Sequence, residues 1–154
     1  MYYATTRGIP QLYYGTEILM SNKGPKDDGL IHSDFPGGWV GDPVNAFTGS
    51  GLTTQQKQAQ EFIRKVLNWR KTSEVVHSGK LKHFAPNEGV YVYFRSNEKE
   101  KVMVVLNKNK QEKPIATDRY SEVMGKCTSG KEVISGMNII DLKSINTCNV
   151  CYHY

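Results

Sequence analysis

Hydrophobic periodicity changes at Ser73 from a repeat of 3.6 residues to a repeat of two, so the chain joins two dissimilar parts. Before that point Ala59, Phe62, Ile63, Val66, Leu67 and Arg70 fall on one face of a helix, with Gln58, Glu61, Lys65 and Asn68 on the other. Thr53, with Gln56 three residues on, supplies a capping box that starts it. After it, β-branched and aromatic runs at 81–85, 90–95 and 102–106 are separated by Pro86-Asn87-Glu88-Gly89 and Ser96-Asn97-Glu98-Lys99. Further short strands are predicted near Ile115, at 132–134 ahead of Ser135-Gly136, at 138–142 and at the C-terminus. Closely spaced strands without intervening helices point to an antiparallel β-sandwich.

Upstream of the helix, residues 7–17 read as a short apolar strand entered through Gly8 and Pro10 and left through Gly15. Residues 18–52 are rich in Gly, Pro, Asp and Asn and have neither period, which marks a long loop of the kind that carries function or disorder. The boundary is placed near 73–80. Residues 1–73 form one strand, loop and helix unit, and 74–154 a small all-β domain just large enough for its own core.

Bulk properties exclude several classes. The net charge of +5 comes from 20 basic and 15 acidic residues, and the lysines are spread through turns instead of forming the stripe that nucleic acid requires. No apolar run has the length of a membrane span. Three cysteines, Cys127, Cys148 and Cys151, are an odd number for a disulfide scaffold. The Cys148-Asn149-Val150-Cys151 spacing near His153 looks like half a metal knuckle, but residues three apart on a strand face opposite sides, so no metal is expected. His77 and His83 have no ligand-like pattern around them. The first residues, Met1 to Arg7, lack the charged start and apolar core of a signal peptide.

The order of Gly8-Ile9-Pro10-Gln11-Leu12-Tyr13-Tyr14-Gly15-Thr16-Glu17, Asp34-Phe35-Pro36-Gly37-Gly38-Trp39, Asn45-Ala46-Phe47-Thr48, Leu67-Asn68-Trp69-Arg70-Lys71, Gly79-Lys80-Leu81 and Gly89-Val90-Tyr91-Val92-Tyr93-Phe94 resembles the end of an α-amylase-family glycoside hydrolase, near the neopullulanases and cyclomaltodextrinases. The resemblance extends to about Leu142. It implies the last strand, loop and helix of a (β/α)8 TIM barrel followed by a C-terminal antiparallel β-domain, giving a mainly β chain with one α/β piece. The tail from Asn146 to Tyr154 departs, being polar where the family has an apolar alternating strand.

In that family a carboxylate nucleophile and a carboxylic acid, roughly 5 Å apart, cleave the glycosidic bond with retention. The resemblance assigns them to earlier strands, so no catalytic residue is expected here and Glu17 is implied to be structural. Loops at the C-terminal face of a barrel form the binding surface. Within 21–42, Phe35 and Trp39 therefore offer faces for a glucose ring, and Asp28, His32 and Asp34 offer hydrogen bonds to sugar hydroxyls. Tyr13 and Tyr14 are expected to pack in the core on opposite sides of their strand. The partners implied are an α-glucan or maltooligosaccharide and the remainder of a barrel, with no redox cofactor. A stand-alone carbohydrate-binding module, using Tyr91, Tyr93 and Phe94 as a platform, is the alternative.

Overall fold

The computed structural model describes residues 1–22, 24, 27–146 and 151–153. In chain order the elements are α1 (Tyr2–Thr5), α2 (Asp28–Ile31), α3 (Thr54–Thr72), α4 (Glu74–Ser78), β1 (Lys80–Asn87), β2 (Val90–Ser96), β3 (Lys101–Asn107), β4 (Pro114–Ala116), α5 (Ser121–Met124), β5 (Gly130–Glu132), β6 (Asn138–Ile139), β7 (Ser144–Asn146) and β8 (Cys151–His153). One-turn 3-10 helices lie at Thr16–Ile18 and Asp118–Tyr120. The chain separates into two compact units: Gln11–Arg64, and Lys65–Tyr154 together with Met1–Pro10.

The larger unit is built on antiparallel pairing. Six strands run in the order β1-β2-β3-β8-β5-β6, and β4 pairs with β7 in a separate two-stranded sheet. The β2–β3 register sets Val92 opposite Val105 and Phe94 opposite Met103, while Tyr93 faces Val104 and Arg95 faces Val102. Because side chains alternate along a strand, the two sets emerge on opposite faces. Val90, Val92, Phe94, Met103 and Val105 pack with Tyr120, Met124, Leu142 and Ile145, joined by Ile115, so the two sheets share one core. Tyr93, Val102 and Val104 pack instead with Val75 and Val76 of α4, flanked by Met1 and Trp69. A sheet covered on both faces explains why these strands read as continuous apolar runs.

The β1–β2 hairpin closes through Glu88 and Gly89, both at positive φ (47° and 78°), the twist that suits a two-residue connection. Asn109 donates to the Glu88 carbonyl at 2.9 Å and Lys113 pairs with the Glu88 carboxylate at 2.9 Å, which holds a non-glycine residue in that region. The hydrogen bond and the charge of Lys113 keep the Glu88 carboxyl below its ordinary pKa. Pro86 is accommodated because β1 is an edge strand whose register breaks between Phe84 and Asn87.

Met1–Pro10 is tied to this unit by polar contacts. The buried Thr5 hydroxyl meets the Tyr93 hydroxyl, Arg95 donates to the Thr5 carbonyl, and Arg70 donates to the Ala4 and Gly8 carbonyls.

The capping box forms as expected: the Gln56 amide donates to Thr53 Oγ1 at 3.2 Å, and the Thr53 amide donates to Gln56 Oε1 at 2.9 Å. On α3 Val66 is buried, Phe62, Ile63 and Leu67 are half-buried, and Gln58, Glu61, Lys65 and Asn68 are exposed. Residues 7–17, by contrast, hold no strand. A strand needs a neighbour for its backbone groups, and this stretch is instead bent by Gly8 and Gly15, both at positive φ, and closed by the Thr16–Ile18 turn. The strand expected at 132–134 sits two residues earlier, because the Glu132 carboxylate accepts the Ile134 and Ser135 amides and turns the chain there. Strand β7 has no counterpart in the sequence reading, and the expected C-terminal strand is β8. Among the described residues no helix is long and apolar enough to cross a membrane. The Cys148 to Cys151 spacing falls in part outside the described residues.

Among the glycines described, Gly79 makes the tightest backbone approach. A Cβ there would lie 2.3 Å from the Val75 carbonyl oxygen and 2.9 Å from that of Ser96. Gly79→Ala is expected to lower unfolding stability by roughly 2–4 kcal/mol through forced backbone displacement. Urea denaturation followed by circular dichroism measures it, and an unchanged midpoint would show that the α4–β1 junction is not packed as described.

Candidate functional site

The unit Gln11–Arg64 has a small core of Ile18, Ala46 and Leu52, with Met20, Phe35 and Val44 packed against it. Polar side chains fold the remaining loop by capping backbone groups. Asp42 accepts the Gly37 amide at 2.8 Å and the Trp39 amide at 3.2 Å, and Asn45 Oδ1 accepts the Phe47 and Thr48 amides. Gly37 is required twice over: its φ is 97°, and a Cβ would meet the Asn45 side chain at 2.7 Å.

This scaffold places Trp39 outward, 68% exposed, with its indole N–H donated to Asp34 Oδ2 at 3.1 Å. Nearby bonds define the rest of the cluster. The Tyr13 hydroxyl bonds His32 Nδ1 at 2.9 Å, and the Tyr14 hydroxyl donates to the Ser33 carbonyl at 3.0 Å. The two tyrosine rings lie 4.7 Å apart, and Asn22 donates to the Ser33 hydroxyl at 2.8 Å. Loss of hydration, then the hydrogen bond and charge of Tyr13 and the charge of Asp34, raise the Tyr14 pKa above its ordinary value.

Of the five residues singled out from sequence, His32, Asp34 and Trp39 thus enter one exposed cluster. Phe35 does not join them: it packs, half-buried, against the small core, with its ring tilted against Phe47 at 5.2 Å. Asp28 opens the four-residue α2 and takes no part in these bonds. Tyr13 and Tyr14, expected in the core, are 60% and 43% exposed, a correction that follows from the missing strand, since without it they do not alternate between two packed layers. Sequence reasoning also missed Asn22 and Asp42. Asp42 sits ahead of Pro43 in a glycine-rich turn, the sort of place where a short acidic side chain caps backbone, but nothing in the pattern says which amides it takes.

Chemically the cluster presents aromatic faces beside a carboxylate and an imidazole. A carboxylate has about four acceptor sites, so Asp34 can bond a ligand while holding Trp39. Glu17 is half-buried in the 3-10 turn and takes no part in these bonds. Among the described residues no three His, Cys, Asp or Glu side chains stand together as a metal centre would require. On the β-domain Tyr93 and Phe94 are fully buried, so they cannot serve as a binding platform.

A loop and amphipathic helix followed in sequence by a mainly antiparallel β unit have counterparts among cyclomaltodextrin glucanotransferases and α-amylases. The family model described as the cyclo-malto-dextrinase C-terminal domain matches residues 81–147. A cyclomaltodextrin glucanotransferase of Klebsiella oxytoca is 30% identical over 104 residues, 68% of this chain and 14% of that protein. An α-amylase of Niallia circulans is 26% identical over 140 residues, covering 86% of this chain and 23% of the relative. Among solved structures, AmyP in complex with maltose superposes with a TM-score of 0.74 over 99% of this chain and 32% of its own, at 12% identity, a likeness of fold. The chain belongs to the α-amylase family and corresponds to the C-terminal part of its members. It spans under a quarter of the length of these two sequence relatives.

Tyr14 gives a pH test. Its folded pKa lies above the unfolded value of 10.0, so the folded state holds the phenol proton more tightly. The associated stability is complete below the unfolded value and is lost as pH rises through the folded one. Spectrophotometric titration of wild type against Tyr14→Phe should reveal one tyrosine ionising above the ordinary range, and Asp34→Asn should move it down. An identical titration curve in Asp34→Asn would separate Asp34 from Tyr14.

Proposed function

We propose that this chain is the C-terminal end of an enzyme that hydrolyses α-glucans, of α-amylase or neopullulanase type. Residues 1–73 correspond to the last strand, loop and helix of its (β/α)8 barrel, and 74–154 to the C-terminal β-domain. In this reading residues 7–17 take up their strand only beside barrel neighbours, which supply the missing backbone partners. The catalytic carboxylates lie elsewhere in the parent enzyme, and the chain by itself turns over no substrate.

The observation that carries the binding role is the exposed Trp39, fixed by its indole bond to Asp34. A ring that is rigid and exposed can stack on a pyranose without losing much conformational freedom, and charged acceptors beside it orient the hydroxyls. Phe35 and Asp28 act indirectly, the first by anchoring the loop and the second at its rim. The relatives named amylase and cyclomaltodextrin glucanotransferase support an α-glucan as the substrate class of the parent.

Titration with maltooligosaccharides, followed by isothermal titration calorimetry, tests the site. Weak saturable binding is expected, with Asp34→Ala weakening it about tenfold and Trp39→Ala removing it, in line with the loss of one charge-assisted bond and one stacking surface. Equal affinity in Trp39→Ala and wild type would discard the cluster as the site. In parallel, starch, pullulan and cyclodextrins should show no turnover; hydrolysis that disappears in Glu17→Gln would overturn the assignment of the catalytic groups to other segments.

A further inference from the structure

We infer that Arg7, Arg70 and Arg95 form a binding site for an oxyanion, a carboxylate or phosphate group. Arg95 projects from β2 on the face shared with Tyr93 and is 1% exposed. Its Nη1 donates to the Thr5 carbonyl at 3.2 Å and its Nη2 to the Gly79 carbonyl at 2.8 Å, while its Nε is buried without a hydrogen-bond partner. Arg70, half-buried in the last turn of α3, donates to the Ala4 carbonyl at 2.6 Å and the Gly8 carbonyl at 3.1 Å. Two guanidinium groups therefore converge on adjacent carbonyls of the Met1–Pro10 segment, and the exposed Arg7 belongs to that same segment.

Every hydrogen-bond acceptor these groups are seen to use is neutral. Buried charges are ordinarily neutralised, because a carbonyl dipole only partly replaces the hydration that a cation gives up. Among the described residues the ion pairs are Arg64–Glu61, Lys82–Glu122 and Lys113–Glu88, none of which involves the three arginines. Burial first, and then the like charges of Arg70 and Arg7, lower the Arg95 pKa. Ser73, three residues beyond Arg70, adds a buried hydroxyl without a hydrogen-bond partner at the end of the same helix. An anion bound to the accessible N–H groups of Arg7 and Arg70 would relieve the repulsion on Arg95 beneath. The planar guanidinium fork matches the spacing of two oxygens on a carboxylate or phosphate. A glucan carries no such charge, so this ligand is distinct from the sugar proposed for the loop.

The test uses sodium acetate and sodium phosphate, titrated at constant ionic strength into wild type, Arg7→Gln, Arg70→Lys and, as a control for charge removal elsewhere, Lys57→Gln. The readouts are the arginine Nε–H resonances and the thermal midpoint. Saturable perturbation of the Arg95 resonance is expected, weakened about tenfold in Arg7→Gln, retained in part in Arg70→Lys and unchanged in Lys57→Gln. Acetate as effective as phosphate identifies a carboxylate as the natural group, and tighter phosphate binding identifies a phosphate. A response that never saturates, or one identical in wild type and Arg7→Gln, is general screening and overturns the site. Arg7 is exposed, so its variant folds even where changes at Arg70 loosen the first ten residues.

Discussion

Pairing of β2 with β3 carries the β-domain, because these two strands present apolar side chains to both faces at once. Val92, Phe94, Met103 and Val105 serve one core, while Tyr93, Val102 and Val104 serve the other. A slip of one residue in register would exchange the two sets and drive Arg95 into the core beside Tyr120 and Met124. Register is therefore held from both sides. The same constraint brings Tyr93 and Arg95 out together on the face where Met1–Pro10 is bound, so the attachment of the first segment depends on a decision made within the hairpin.

The loop unit is organised differently. Its apolar core is small, and much of its shape comes from side-chain oxygens that accept backbone amides, notably those of Asp42, Asn45 and Thr53. Such bonds are mostly exposed and each contributes modestly, but together they set the direction of the chain. The consequence for function is geometric. Trp39 is held at an outward position by its own amide, through Asp42, and by its indole, through Asp34, so two carboxylates fix one ring.

Where the sequence pattern was strong, the structure follows it. The helix with its Thr53 and Gln56 box, the three long strands and the turns between them all rest on local periodicity, which acts within a few residues. Burial of Tyr93 and Phe94 could likewise be read from their continuous apolar run. What could not be read depends on partners remote in sequence. Residues 7–17 have the composition of a strand, but composition does not provide a neighbour, and without one Tyr13 and Tyr14 lie exposed with their rings together. Phe35 and Trp39 looked equivalent as flat apolar groups, and only packing against Ile18, Ala46 and Leu52 separates the half-buried one from the exposed one. The arginine cluster gave no signal at all, since its members are separated by 63 and 25 positions (70 minus 7, and 95 minus 70).

Exposed apolar side chains connect these observations. Scattered single residues of that kind are ordinary on a soluble protein, but here Ile9, Leu12, Tyr13, Tyr14, Leu19, Ile31, Trp39, Val40 and Phe47 are concentrated in one third of the chain. Among the described residues of the β region the apolar side chains are mostly enclosed, with Met137 and Ile140 the large exceptions. The asymmetry is what a proposed barrel segment should show: a barrel strand is covered on both faces by neighbours, whereas a terminal β-domain completes its own core. On the proposed reading the apolar character of Ile9 and Leu12 reflects packing in the parent enzyme and that of Trp39 a sugar-binding face, and the two are distinguished by their polar contacts. Trp39 has its N–H bound by a carboxylate that remains open to a ligand; Ile9 and Leu12 have no polar group to orient anything and are suited only to being covered.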